Sequence, residues 1–492
     1  MNAAVTSPMP NMARTRWVCQ GRTAWVGTVT AADSGRRLLV AVDDGETADT
    51  APPRLPASPT DPLSGAGDPN DSVRSRRRAE VVTRGMLGPD SVSTRPGQTG
   101  PVRDAYGTDR RSPLLPGLRC VHADLHNHTR LSDGQGDPRR LFGSLREAGL
   151  DVAAVTDHAN LASQLGRPGG VPLASALHGI SPADWQLLRE IADAGDEHGR
   201  FVAIRGFEWS HPLLGHVNVW DSPGFTHPRW PGAGDMRRFW DWMATPEAGG
   251  ALASFNHPGG RGTVLRFAGF TFREELGRRL IGLEMFNKSD DYLLAVDAKG
   301  VSPLVQCLAA GWRPGLLGVT DEHGSDWGHP DRKGRTGLYV DELSRAGVAT
   351  ALQARRCFAS RVKGMRLAAT LGGVPMGGEL GRRRPDEAHQ RRSLSLAVDL
   401  DLGPLARGME LSVQLLRPSS TVPSVEEVAR VRSGAAPSTV EVPVHDEPWL
   451  VLRICDPVAS PEPGSTGAYA HLGRSIAYAS PWYLEPATRA AA

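Results

Sequence analysis

Two textures of apolar spacing divide the chain. Between Cys120 and about Arg361, short apolar runs alternate with stretches in which apolar positions recur every three to four residues. The runs Asp151–Thr156, Phe201–Ile204, Ala251–Phe255, Leu280–Glu284 and Leu316–Thr320 each read as a buried strand. Two of the intervening stretches predict capped helices. One opens at Asp137-Pro138, carries Leu141, Leu145 and Ala148, and stops at Gly149; the other opens at Ser181-Pro182 and places Trp185, Leu188 and Ile191 on one face. Strand–helix repetition over this length predicts an α/β barrel.

Beyond Met365 the period drops to two. Leu394–Leu400, Leu411–Leu415, Trp449–Ile454 and Ser475–Ser480 predict antiparallel strands of a second, all-β domain, sandwich-like in architecture. Near the other end, Thr23–Thr30 and Leu38–Val42 predict a strand pair. From about Asp44 to Gly117 the residues Pro, Gly, Ser, Asp and Arg displace apolar ones, which is the composition of a disordered linker. The expected organisation is a short β segment at 1–45, a disordered linker at 46–118, a barrel at 119–363 and a C-terminal β domain at 364–492.

Composition narrows the class of protein. The 492 residues are 40% hydrophobic and 22% charged, and 56 basic against 54 acidic side chains leave a net charge of +2. No polyanion partner is announced by that balance. The run Arg74–Arg78 reads as a solvated charge cluster rather than a nucleic-acid contact. Only Lys288, Lys299, Lys333 and Lys363 are lysines; arginine fills every other basic position. Five scattered cysteines, with no CxxC spacing, argue against a disulfide framework or a cysteine zinc site. The N-terminal residues lack the apolar core of a signal peptide, and no stretch approaches the roughly 18 apolar residues of a membrane span. A cytoplasmic protein without a membrane partner is the expectation.

Histidines carry the chemical signal. Twelve of the fifteen lie between His122 and His329, several directly after predicted strands. In Asp124-Leu-His126-Asn-His128 the i, i+2 spacing of an extended chain lets both imidazoles reach one metal ion, and Asp133 in the following Ser-Asp-Gly turn can return a carboxylate to the same point. Thr156-Asp157-His158, Phe207-Glu208-Trp209 with the later His216, Asn256-His257-Pro258 and Asp321-Glu322-His323 also end predicted strands. The C-terminal strand ends are where a barrel builds its active site. Each residue taken singly has a plain alternative: Asp157 as a helix N-cap, His216 as a loop cap, Glu208 paired with an arginine. Their joint placement favours a cation, because buried unpaired Asp, Glu and His would each cost several kcal/mol without one.

Taken in order, His126-x-His128 with Ser-Asp133-Gly, Thr-Asp-His158, Glu208, His257-Pro and Asp321-x-His323 resemble the motifs of the PHP (polymerase and histidinol phosphatase) metallohydrolases, over about residues 120–330. The resemblance implies a distorted seven-stranded (β/α)7 barrel with two or three divalent ions at its mouth. The implied ligands are His126, His128, Asp133, His158, Glu208, His216, His257, Asp321 and His323. His211 competes with His216 for the position after Glu208; the strand-like Val217-Asn-Val219 favours His216. His329 is a spare candidate near the last pair. Thr336–Tyr339, Glu342-Leu343 and Ala351–Ser360 are similar to the tail of stand-alone members related to carbaryl (carbamate ester) hydrolases.

A divalent-metal phosphoesterase acting on a small-molecule mono- or diester follows, with a metal-activated hydroxide as nucleophile. Asp321 and Glu208 are the candidate hydroxide-orienting carboxylates, and His158 or His216 the proton donor. The mixed nitrogen and oxygen donors suit Zn, Mn or Fe. Arg261 and Arg130 are the candidate phosphate-binding cations, with Lys288 a third. The alternatives are a carboxyl or carbamate ester hydrolase, favoured if Trp209, Trp220, Trp230, Phe239 and Trp240 line the mouth, and a non-catalytic scaffold. An amidohydrolase barrel also begins with His-x-His, but no lysine lies near the middle strands to serve as a carboxylated bridge. Oligomeric state is left open by the sequence.

Overall fold

Why these runs close into a ring is visible in their alternation. The computed structural model describes residues 109–160, 179–229, 235–260, 263–328, 333–381, 392–445 and 447–484, with the backbone of two further strands, β1 (Ala13–Cys19) and β2 (Arg22–Thr28). The chain divides into two compact units, Met1–Ser93 and Thr94–Ala492. In the first, β1 and β2 pair antiparallel. The partner of the run near Thr23 is thus β1; the expected partner, 38–42, and most of the expected linker lie outside the described residues.

The second unit begins with β3 (Arg119–Asp124), β4 (Val152–Val155), β5 (His158–Ala159), β6 (Val202–His211), β7 (Gly215–Trp220), β8 (Leu252–Phe255), β9 (Leu280–Asn287), β10 (Asp290–Asp291), β11 (Gly315–Val319) and β12 (Arg335–Val340). Strands hydrogen-bond in the order β12–β3–β4–β6–β7–β8–β9–β11. The ring closes where Thr336 Oγ1 donates to the Gly318 carbonyl (2.7 Å) and accepts from its N–H (3.2 Å). A Cβ on Gly318 would come within 2.5 Å of the Arg335 carbonyl, so only glycine permits that approach.

The ring departs from uniform strand–helix alternation. β3, β4 and β6 run parallel, as do β8, β9 and β11, but β7 is antiparallel to both neighbours and β12 is antiparallel to β3. The reason lies in the short Pro212–Leu214 connection, which can only return β6 as a hairpin, since a parallel crossover needs a dozen residues or more. Among the helices of the described residues are α1 (Pro138–Glu147), α2 (Pro182–Gly195), α3 (Asp235–Met243), α4 (Pro303–Ala309) and α5 (Arg345–Gln353). Asp137 caps α1 by accepting from Arg139 N, and Ser181 with Asp184 forms a reciprocal capping box on α2.

Alternation sorts the side chains of each strand. In β6, Val202 and Ile204 face the ring interior with Ala154, Leu252 and Val319, whereas Ala203, Phe207 and Trp209 pack outward among the helices. Trp209, Phe239 and Trp240 belong to this outer core, and Trp220 is buried with the inner set. The aromatics that sequence allowed at the mouth are therefore packing residues; Trp230 lies outside the described residues.

The remaining strands are β13 (Cys357–Ser360), β14 (Arg366–Leu371), β15 (Val374–Pro375), β16 (Glu379–Leu380), β17 (Arg392–Asp401), β18 (Glu410–Arg417), β19 (Ser424–Arg432), β20 (Ser438–Val444), β21 (Trp449–Asp456), β22 (Arg474–Ala479) and β23 (Trp482–Leu484). Ring strand β12 continues into β13–β22–β21–β18–β19. A second sheet, β15–β14–β17–β20, shares with it a core of Leu367, Leu396, Val413, Leu415, Leu452 and Ile454. The molecule is a mixed α/β protein with a large sheet and few helices. Among the described residues no helix is long and apolar enough to cross a membrane.

Candidate metal centre

At one end of the ring the strands hand over to polar residues, and six imidazoles and three carboxylates meet there. Glu208 is the hub. It faces inward from β6 because it continues the Val202, Ile204 register, and it is fully buried. Its Oε1 lies 3.2 Å from His126 Nε2, 3.2 Å from His216 Nδ1 and 3.3 Å from His257 Nε2. Its Oε2 lies 2.7 Å from His158 Nδ1 and 3.6 Å from His128 Nε2. Asn256 Nδ2 donates to Oε1 at 2.8 Å.

Asp321 and Asp133 join the same cluster through His323, which lies between them. Asp321 Oδ1 is 3.2 Å from His128 Nε2, 3.3 Å from His323 Nδ1 and 3.6 Å from His126 Nε2. Asp133 Oδ1 is 3.3 Å from His323 Nε2 and 3.4 Å from His158 Nε2. All nine residues of the expected ligand set are thus brought together. Three groupings have donor atoms mutually within 4.8 Å: His128, Asp133, His158 and His323; His126, His128 and Asp321; and His158, Glu208 and His216.

The donor set fits divalent cations. His126 Nε2 and His128 Nε2 face each other at 3.1 Å, and two imidazole lone pairs so close repel unless a proton or a cation lies between them. His128 Nδ1 is buried without a hydrogen bond, an arrangement that costs free energy and that a cation would repay. The protonation balance points the same way. Burial pushes His128 down, and with His323 and His158 nearby its pKa falls to about 3. Burial also opposes the charged form of His158, but Glu208 and Asp133 outweigh it and raise that ring to about 10. His126 is raised by Asp321, Glu208 and Glu284 against its burial. Glu208 and Asp321 stay well below the usual carboxylate range, since surrounding imidazoles overcome their desolvation.

Other expected residues fall elsewhere. His211 stacks on Trp209 and accepts from the N–H groups of Leu213 and Leu214, with Nε2 3.7 Å from Asp235, away from Glu208. Arg130 is exposed and pairs with Asp137 at 3.2 Å. Arg261 and His329 lie outside the described residues. Lys288 reaches Asp321 Oδ2 at 3.1 Å.

A ring of supporting groups was not singled out from the sequence. Glu284 Oε1 is 2.8 Å from His126 Nδ1, while its Oε2 accepts from His257 N (2.7 Å) and Asn287 Nδ2 (2.9 Å). It turns the Nε2 of His126 toward the centre. Asp157 accepts from Thr129 N, Thr129 Oγ1 and Ser132 Oγ at 2.6–2.8 Å, fixing the turn that carries Asp133. Asp124 accepts from Thr320 N and Oγ1 and so orients the strand end before Asp321. One signal was available for Glu284: a fully buried glutamate closing an apolar strand run needs a partner. Glu284→Gln is expected to weaken metal affinity by roughly 10–100-fold while leaving ligand count intact, as removal of a carboxylate behind a ligating histidine does. Metal titration of the variant by calorimetry checks this; unchanged affinity would remove Glu284 from the centre.

Comparison with known proteins comes from structure alone. No family model matches the sequence, and no curated protein matches it. Among solved structures, the chain is similar to a two-domain protein from Bacteroides vulgatus ATCC 8482 containing a predicted PHP-like metal-dependent phosphoesterase, at 16% identity and a TM-score of 0.38, covering 77% of this chain and 99% of that one. It is also similar to a candidate metal-dependent phosphoesterase from Bifidobacterium adolescentis ATCC 15703, at 15% identity and a TM-score of 0.23, covering 42% of this chain and 88% of that one.

Proposed function

We propose that the protein is a divalent-metal-dependent phosphoesterase. The observation that supports this most is the convergence of three carboxylates and six imidazoles around one buried glutamate at the strand ends of a closed ring. Divalent ions bound there would lower the pKa of a held water toward neutrality and neutralise charge on phosphoryl oxygens. His126, His128, Asp133, His158, Glu208, His216, His257, Asp321 and His323 would hold two or three such ions, of Zn, Mn or Fe type.

The chain's own groups then do the positioning. Glu208 and Asp321, ionised and accepting only, orient the attacking water for in-line displacement. Whichever of His158 and His216 is not taken up by an ion would deliver a proton to the leaving oxygen. The substrate is a small phosphorylated molecule approaching from the half-open side beside Lys288 and His323. A carboxyl or carbamate ester hydrolase would be favoured by an apolar mouth, but Trp209, Trp220, Phe239 and Trp240 are core residues.

Parallel turnover of p-nitrophenyl phosphate, bis-p-nitrophenyl phosphate and p-nitrophenyl acetate by metal-reconstituted protein tests the reading. An Asp321→Ala, His323→Ala double variant is the control. Phosphate-ester hydrolysis that disappears in the variant is expected. Metal-dependent acetate hydrolysis alone, or silence on all three with metal bound, would overturn it.

A further inference from the structure

Resting on the phosphoesterase reading, we propose that Lys288 is the substrate-binding cation of this site and that the C-terminal sheet sets its position. Only four of the chain's 56 basic residues are lysines, yet two of the four contact carboxylates of the Asp321–His323 segment: Lys288 meets Asp321, and Lys333 pairs with Glu322. A compact, mobile ammonium suits a point contact to an anion, whereas the planar arginine fork prefers a fixed bidentate partner.

Backbone geometry is the second observation. Asn287 pairs with Asp290, so Lys288 and Ser289 form a two-residue hairpin turn between β9 and β10. Lys288 takes φ +52°, a left-handed conformation that disfavours a side chain with a Cβ and suits glycine or asparagine. A lysine held there against preference aims its Nζ to 3.1 Å from Asp321 Oδ2 while leaving the side chain about half exposed. The ammonium therefore stands between the buried carboxylates and solvent, where an incoming anion passes.

The tip is also braced. Lys288 N donates to Val319 O at 3.2 Å, and its carbonyl accepts from Gly334 N at 3.1 Å. Arg361, at the end of β13, donates to Ser289 O at 2.7 Å and lies 4.5 Å above the Phe286 ring. On the far side Asp291 Oδ2 accepts from Tyr478 Oη at 2.8 Å and from Ser475 Oγ, both on β22. Thus the C-terminal strands grip the hairpin on each side of Lys288, which gives that part of the chain a role at the site without contributing a ligand. Tyr478 and Arg361 are positioning residues in this arrangement.

The test uses full-length, metal-loaded protein and the variants Lys288→Met and Lys288→Arg. Three quantities are read: bound metal, the affinity for inorganic phosphate by calorimetry, and KM and kcat on the best phosphate ester. Lys288→Met is expected to keep its metal, to bind phosphate roughly 10- to 100-fold more weakly, and to raise KM in proportion; Lys288→Arg recovers most of that loss. Phosphate affinity unchanged in Lys288→Met overturns the inference, and so does a loss that only follows lost metal, since Lys288 would then serve Asp321 alone. Wild-type protein that neither binds phosphate nor hydrolyses a phosphate ester overturns the phosphoesterase reading itself, and the inference with it. Wild-type phosphate chemistry that survives in Lys288→Met sinks the inference alone.

Discussion

A Glu208→Gln variant is expected to bind less metal and to lose turnover by on the order of 10³-fold or more, the largest single effect available in the molecule. The reason is connectivity. One carboxylate lies within 3.6 Å of five imidazoles, so glutamine removes the only negative charge that all five share. Glutamine preserves shape, which keeps packing out of the comparison. Stability should fall as well, because taking one partner from a buried charged cluster costs about 3–5 kcal/mol. Elemental analysis, turnover and a thermal midpoint measured on the same preparation check the three effects together. Full metal content with undiminished turnover would show that Glu208 is not the hub.

Metal removal should produce the second large effect. Chelation is expected to abolish turnover and lower the thermal midpoint, and re-adding Zn, Mn or Fe to restore both. Saturation at about 100 times the dissociation constant adds about 2.7 kcal/mol to stability. The sign of the pH dependence follows from the imidazoles. Without metal, Glu208 and Asp133 hold a proton on His158 up to a pKa of about 10, and His126, His257 and His323 are likewise raised by neighbouring carboxylates. Metal binding must expel those protons, so apparent affinity rises with pH and the stabilisation by metal shrinks as pH falls from 8 to 6. Calorimetric titration in buffers of different ionisation enthalpy reads the released protons directly. Binding without proton release at pH 7 would contradict this protonation scheme.

How much of this could be read from the chain alone depends on whether a signal was local. The strand runs at Asp151–Thr156, Phe201–Ile204, Ala251–Phe255, Leu280–Glu284 and Leu316–Thr320 correspond to β4, β6, β8, β9 and β11, because period and flanking turns are local properties. The 212–214 link is too short for a parallel crossover and so dictates the β6–β7 hairpin, but that β7 also pairs antiparallel with β8 depends on ring closure and is not a local property. The β1–β2 pairing was not legible either, since Ala13–Cys19 carries no apolar run of strand length, while the 38–42 run expected beside Thr23–Thr30 lies outside the described residues.

At the site, residue type and position after a strand drew attention to these histidines and carboxylates, and the resemblance of the ordered motifs to the PHP metallohydrolases implied the nine that the fold gathers. The choice between His211 and His216 needed the β6–β7 register, which sets Ser210 opposite His216 and returns the His216 ring to Glu208, while His211 turns toward Asp235. Arg130 looked well placed by its distance along the chain from His128, but the adjacent Asp137 at the α1 cap takes it up. Apart from the Asn287–Glu284 bond, Glu284, Asp157 and Asp124 act through hydrogen bonds to residues between 25 and 196 positions away, and no local pattern encodes such partners.

Donor chemistry and the strand ends that bear it are written residue by residue, in side-chain type and apolar period. The tertiary structure alone decided which carboxylate became the hub, which groups orient the imidazoles, and that strands more than 180 residues beyond the Lys288 hairpin hold it in place. Those outcomes depend on ring closure and register, which bring together atoms that the chain keeps far apart.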